Sequence, residues 1–179
     1  LFTPSYSDSR KHIRKTSRTR AGACFMNTQQ ITYTLQSDSP TADERHSLKG
    51  LAPVDDARWN LRLDNAAFYV IASDGNLPVG FAFAEKPWGE IGESWAKDVP
   101  GAIEFGGLIV RPEYRRQGIM TEMVRLRLDM ARTLGYQPVC VTVADNHNVI
   151  SYYSSRGWTP RRTFHRNGLD LIPWVLEKK

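Results

Sequence analysis

Arg115, Arg116 and Gln117 stand immediately before Gly118, and their neighbours decide what that basic cluster can do. Upstream, Leu108, Ile109 and Val110 form a short apolar run that reads as a strand, and Pro112 removes the N–H that a strand ladder would need. Downstream, Ile119, Met123, Leu126, Met130 and Leu134 recur at helical spacing. The basic turn is therefore predicted to open a long helix. The first backbone N–H groups of a helix have no intrahelical acceptor and sit at the positive end of its dipole, so an anion is welcome there, and a glycine lets it approach the backbone closely. We read Arg115, Arg116, Gln117 and Gly118, with the following Ile119 and Met120, as a phosphate cradle.

The elements that must hold this turn follow from hydrophobic period and turn chemistry. Ile31 to Gln36 alternates apolar and polar residues and is predicted to be a half-buried first strand. A helix start is expected near Thr41, with Asp43 and Glu44 in its early turns and Gly50 as its stop; a second short helix is expected over 53–63. Two apolar runs, 67–72 and 79–84, flank Asp74-Gly75-Asn76 and suit a hairpin, with Phe81 and Phe83 on one face. Residues 86–101, rich in tryptophan, proline and glycine and carrying Glu90, Glu93 and Asp98, show no period and read as a loop placed on the acceptor side of the site. The next strand is predicted over 102–110, and its paired Gly106-Gly107 points to a bulge or a close backbone neighbour. Leu134-Gly135 ends the long helix, and 139–144 alternates as a further strand.

After that strand comes Asp145-Asn146-His147-Asn148, then Val149 to Tyr153, then Arg156-Gly157-Trp158. The run Arg115-x-x-Gly118-x-Met120, preceded by Leu-x-Val-x-Pro-x-Tyr, resembles the acyl-coenzyme A pyrophosphate signature of the GNAT N-acetyltransferase superfamily. Met120 stands where that signature has Gly or Ala. The later stretch resembles the other half of the family pattern, with Asn146, Tyr153, Gly157 and Trp158 in register and Val149 where Ala is commoner. Two short motifs in the expected order, with a helix and a strand between them, carry the resemblance over residues 102–158.

The resemblance implies an α/β (α+β) domain over residues 26–179. Its GNAT fold would be a mostly antiparallel twisted sheet of about seven strands with about four helices, splayed between the fourth and fifth strands. It further implies acetyl-CoA as co-substrate, with its pantetheine arm in the splay against Leu108, Ile109 and Val110, and Asn146 either holding that arm or ordering the loop. Tyr153 is then the general acid, since a phenol keeps its proton at neutral pH and can give it to a departing thiolate. A backbone N–H near Leu108 or Ile109 would receive the oxyanion, and Glu104 would take the amine proton through water. The activity implied is N-acetyl transfer to a primary amine of a small molecule in a ternary complex. A protein or peptide N-acetyltransferase and a non-catalytic acyl-CoA-binding module are the alternatives.

Composition restricts the other classes. The chain has 179 residues, 41% hydrophobic and 24% charged, which suits one soluble domain. The net charge of +5 is concentrated in residues 1–25, where six basic residues oppose one acidic; the remainder carries 18 basic and 18 acidic residues. That arm is read as a disordered basic tail, either extraneous sequence ahead of a start at Met26 or an organelle transit peptide. The folded part is thus expected to be neutral, with no nucleic-acid partner and no membrane partner, cytoplasmic, and compatible with a homodimer. Cys24 and Cys140 make neither a disulfide framework nor a ligand pair, and His12, His46 and His165 show no ligand spacing, so no metal is expected. Cys140 reads as a small buried hydrophobe.

Overall fold

The first strand, β1 (Ile31–Gln36), opens a computed structural model that describes residues 30–53, 55–87, 95–166 and 168–177. Two short helices follow. In α1 (Ala42–Ser47), Thr41 and Glu44 close a reciprocal capping box; in α2 (Ala57–Asp64), the Asp56 side chain accepts from Trp59 N. That cap explains why the second helix begins at Ala57 rather than at Pro53, as the sequence suggests. β2 (Ala66–Asp74) and β3 (Leu77–Glu85) form the expected hairpin, closed by Gly75 and Asn76, with Gly75 at φ +57°.

β4 (Ala102–Val110) leads through a 3-10 turn, Pro112–Tyr114, to the long helix α3 (Ile119–Thr133). Its end is a Schellman arrangement: Gly135 takes φ +75° and Tyr136 N donates to Ala131 O at 2.8 Å. Leu134, counted by period with the apolar face, is the C-terminal cap and is exposed. β5 (Gln137–Val143), α4 (His147–Ser154), β6 (Trp158–Pro160), β7 (Phe164–Arg166) and β8 (Leu169–Leu176) complete the described chain. Asn167-Gly168 between two strand-like runs suits a terminal hairpin; Asn167 lies outside the described residues, while β7 pairs with β8 up to Arg166↔Leu169.

The strands form one sheet in the order β1-β2-β3-β4-β5-β8-β6, with β7 against β8. Every pairing is antiparallel except β4 with β5, and that parallel pair is short: Ala102↔Gln137, Ile103↔Pro138 and Glu104↔Val139. Beyond Glu104 the two strands part. On the other side of β4 the register with β3 shifts between Phe81↔Ile109 and Phe83↔Gly106, which places an extra β4 residue in a bulge.

Alternation along the strands sends side chains to two cores. Tyr69, Ile71, Phe81 and Phe83 pack with Leu48, Leu63 and Trp59 under α1 and α2. Val70, Ala72, Val79 and Ala82 face Ile119 and Met123 of α3. Gly80 is needed there, because a Cβ would lie 3.0 Å from Met123 Cε and 3.2 Å from Ile119 Cγ2. Further along, Phe68, Phe105, Cys140, Trp158 and Trp174 fill the space under the end of α3 and α4. The basic arm, residues 1–25, lies outside the described residues, as does the stretch 88–94 with Trp88, Glu90 and Glu93. Trp95 and Val99, at the end of that loop, are buried against Ala102, Val139 and Val175. No helix among the described residues is long and apolar enough to cross a membrane.

Candidate active site

The turn before α3 is tied down from beneath. Arg111 N donates to Val79 O at 2.9 Å, Arg111 Nε to Pro78 O at 2.8 Å, and the hydroxyl of buried Tyr114 to Asp74 Oδ2 at 2.9 Å. These bonds fix the turn to the β2–β3 hairpin and leave Arg115, Arg116, Gln117 and Gly118 exposed. Arg116 and Gly118 both take positive φ, +63° and +81°. No side chain caps α3, and the Cβ direction at Gly118 meets nothing within 4 Å. The helix therefore presents its first N–H groups outward beside two guanidinium-bearing residues, a fit for a diphosphate. Arg115 Nε is turned back onto Val110 O at 3.2 Å, and Gln117 Nε2 onto Glu113 O at 3.3 Å. Ile119 is 2% exposed, so only its amide can meet a ligand, whereas Met120 is 39% exposed at the rim.

Leu108, Ile109 and Val110 lie on β4 past its last pair with β5. Their backbone borders the opening between the two strands, as a hydrogen-bonding arm would require. The space above the bulge is set by glycine. A Cβ at Gly107, φ +58°, would be 2.1 Å from Phe83 Cε1 and 2.7 Å from Trp59 Cη2; one at Gly106 would be 2.6 Å from Arg62 Nη2. The paired glycines thus let Trp59, Phe83 and Arg62 close over the strand. Trp59 Nε1 is buried with no hydrogen-bond partner among the described residues.

Glu104 marks the fork. It is the last β4 residue paired with β5, and its side chain is 21% exposed. Arg62 of α2 joins it to a second carboxylate: Arg62 Nε donates to Glu85 Oε1 at 2.6 Å and Nη2 to Glu104 Oε1 at 3.0 Å. Glu85 is 1% exposed. Two carboxylates share one guanidinium, so the cluster is negative when both are ionised. Burial raises the Glu104 carboxyl above its ordinary range, and the Glu85 charge adds to this, while Arg62 and more distantly Arg166 pull it back. A carboxyl tuned upward in this way is a better proton acceptor near neutral pH than a free one.

Across the fork, the β5 residue after Val139 is Cys140, and Tyr153 packs against the core cluster that contains it. Tyr153 is held by aromatic neighbours, edge-on to Trp158 at 5.1 Å and stacked on Trp174 at 6.0 Å between centroids. Trp174 is itself fixed through Nε1 to Thr142 Oγ1 at 2.9 Å. Burial first, then the proximity of Cys140, pushes the phenol above its usual range, and burial pushes the Cys140 thiol up to about 11. Both groups keep their protons at neutral pH, the phenol as a donor in reserve and the thiol as an inert core group.

Sequence-predicted residues thus fall into three places: Arg115 to Met120 at the α3 start, Leu108 to Val110 along the open edge, and Glu104 and Tyr153 on the two sides of the fork. Asn146 is not at any of them by contact. Its Oδ1 accepts from Val149 N at 3.3 Å and caps α4. Sequence reasoning missed Arg62, Glu85 and Trp59, whose joining depends on the packing of α2 over the sheet. It also missed Arg127, for which a signal existed. Ile119, Met123, Arg127 and Ala131 form the buried stripe of α3, so a cation sits at a position the period marks as core.

A model of the acetyltransferase (GNAT) family matches residues 30–158. N-alpha-acetyltransferase 30 of Schizosaccharomyces pombe is 32% identical over 73 residues, 38% of this chain and 49% of that protein, so the match spans about half the length of the curated relative. Among solved structures, a chain of the NatC complex bound to Gag peptide and CoA is similar at a TM-score of 0.59 and 19% identity, over 83% of this chain and 99% of that one. A GNAT family acetyltransferase from Elizabethkingia anophelis with acetyl-CoA bound is similar at 0.57 and 16%, over 83% and 98%. At such identities the likeness is one of fold.

Proposed function

The chain belongs to the acetyltransferase (GNAT) family, and on that premise we propose that it moves an acetyl group from acetyl-CoA to a primary amine by direct attack in a ternary complex. The observation that carries this reading is the fork itself, where a candidate base on β4 and a candidate acid on α4 flank the point at which β4 leaves β5. The seven residues of strand from Glu104 to Val110 span about 20 Å. That open edge is where the pantetheine arm would lie, between the fork and the turn that leads to the helix start.

The diphosphate of the co-substrate is held by the amides at the start of α3, with Arg115 and Arg116 beside them, and its arm lies along Leu108, Ile109 and Val110. Glu104, through water, takes a proton from the acceptor's ammonium. The freed lone pair attacks the thioester carbon, and the developing oxyanion is met by a backbone N–H near Leu108 or Ile109. As the carbon–sulfur bond breaks, Tyr153 protonates the departing sulfur, and the new amide returns its surplus proton to the phenolate through water.

Two acceptor classes fit a primary amine. The acidic, tryptophan-bearing loop over 86–101 favours a small cationic amine. The partial likeness to an N-alpha-acetyltransferase favours the α-amine of a peptide. Thiol release from acetyl-CoA over a panel of polyamines, aminoglycoside-like amines, peptides with a free N-terminus and N-blocked lysine peptides decides between them. Acceptor-dependent release is the expected result. Tight CoA binding with no release for any amine would make the chain an acyl-CoA-binding module instead.

A further inference from the structure

Arg127 is 2% exposed in the middle of an otherwise apolar stripe of α3. Among the described residues no carboxylate is hydrogen-bonded to it. Its Nη1 donates to Phe83 O at 3.1 Å and to Gly106 O at 3.3 Å, and its guanidinium carbon lies 4.6 Å from the centre of the Phe105 ring. Its Nε is buried with no hydrogen-bond partner among the described residues. A cation compensated only by two carbonyls and an aromatic face is an expensive core residue, and an unbranched apolar side chain of similar length would serve the stability of the helix at least as well.

The position of those two carbonyls gives the charge a purpose. Phe83 and Gly106 are the paired residues next to the bulge, where the β3–β4 register shifts and Gly107 turns to φ +58°. In a trans peptide the N–H of one residue points opposite to the carbonyl of the residue before it. Holding the Gly106 carbonyl on the α3 side therefore fixes the direction of the Gly107 N–H, and with it the peptide planes that carry Leu108 and Ile109. We propose that Arg127 is a positioning residue for acyl transfer: reaching from α3, it clamps the Phe83 and Gly106 carbonyls and so sets the orientation of the bulge amides that receive the acyl oxygen. This inference rests on the acetyl-transfer reading given above.

Arg127→Met keeps the length of the side chain and removes both donors and the charge. Two variants, Arg127→Met and Arg127→Lys, are compared with the wild type, measuring kcat with the best amine of the panel, the calorimetric Kd for CoA, and the melting temperature. A loss of oriented donors at an oxyanion costs about tenfold or more in rate. The expected result is that loss in kcat for Arg127→Met, with the CoA Kd within about twofold of wild type, because the α3 start lies more than two helical turns away, and with no fall in melting temperature. Should Arg127→Met fail to fold, Arg127→Lys decides, since both carbonyls accept from Nη1 and the lysine nitrogen is one atom nearer the backbone, too short to hold both where they are; a reduced kcat at unchanged CoA affinity supports the proposal. Wild-type kcat in either folded variant overturns it. A wild type that transfers to no amine overturns the acetyl-transfer reading and takes this proposal with it, an outcome distinct from the previous one.

Discussion

Two helices point their starts toward the region where β4 and β5 separate, and they are finished differently. At α4 the Asn146 side chain accepts from Val149 N, so the helix closes its own terminus. At α3 the position is Gly118, in the left-handed region, with no side chain to accept anything. The starts of α1 and α2 follow the α4 pattern, with Thr41 and Asp56 as caps. An uncapped start costs a helix about 1 kcal/mol relative to a good cap. Among the four described α-helices the longest is the one left open, beside Arg115 and Arg116, as an anion supplied from outside would require. A helix terminus is a binding surface when the chain declines to cap it and a structural joint when it does.

The largest effect expected concerns the closed helix, which contributes through its second turn rather than its start. Tyr153→Phe should lower kcat by roughly 10²–10⁴ with CoA affinity retained, as removal of a general acid does when chemistry limits the rate; steady-state turnover beside calorimetry checks this, and unchanged turnover would remove the phenol from the mechanism. Next comes an attempt to make the α3 start resemble the α4 start. Gly118→Asp supplies a carboxylate cap that occupies the amides and repels phosphate, and should raise the Kd for CoA by about tenfold or more. The open space at its Cβ means the change is strained only by φ, not by collision. Wild-type affinity in calorimetry would show that the diphosphate is held elsewhere.

Arg62→Leu tests the fork from its other side. With the guanidinium gone, Glu85 and Glu104 lose the cation they share, and the cost should be about 2–3 kcal/mol, less than for a fully buried pair because Arg62 is partly exposed. Its attraction is also what lowers the Glu104 carboxyl against burial. Loss of it moves that carboxyl further up, and since a base works deprotonated, the acid limb of the kcat/KM profile should shift to higher pH. An unmoved limb would separate Glu104 from the proton transfer. The smallest effect belongs to Asn146→Ala, which should cost about 1 kcal/mol of stability through the lost cap while leaving the Kd for CoA unchanged. A weakened CoA affinity at unchanged stability would instead place Asn146 on the arm.

Much of the scaffold was legible along the chain because it is set by neighbours in sequence. β1 over 31–36 and β4 over 102–110 follow from alternation and flanking breakers, and the helix beginning after Gly118 follows from its period. The salt bridges Arg125–Asp129, 2.6 Å, and Arg132–Asp129, 3.2 Å, follow from helical spacing alone. Where the reading slipped, a local side chain outweighed the pattern. Asp56 delays α2, and Gly135 turns the chain so that Leu134 leaves the core. β6 and β7 are three residues each, too short for a period to show, so the last strands are legible through the turn residues Asn167-Gly168 rather than through alternation.

The sequence by itself determined where the helix starts, which terminus lacks a cap, and which glycines free the backbone, because each depends on residues within one turn of one another. Only the tertiary structure decided that Arg62, Glu85 and Glu104 share one charge, that Tyr153 packs against the core cluster containing Cys140, and that Arg127 reaches under the bulge. Those contacts join residues 19 to 44 positions apart or on separate elements. Burial and Coulomb energy depend on distance through space, which no spacing along the chain encodes.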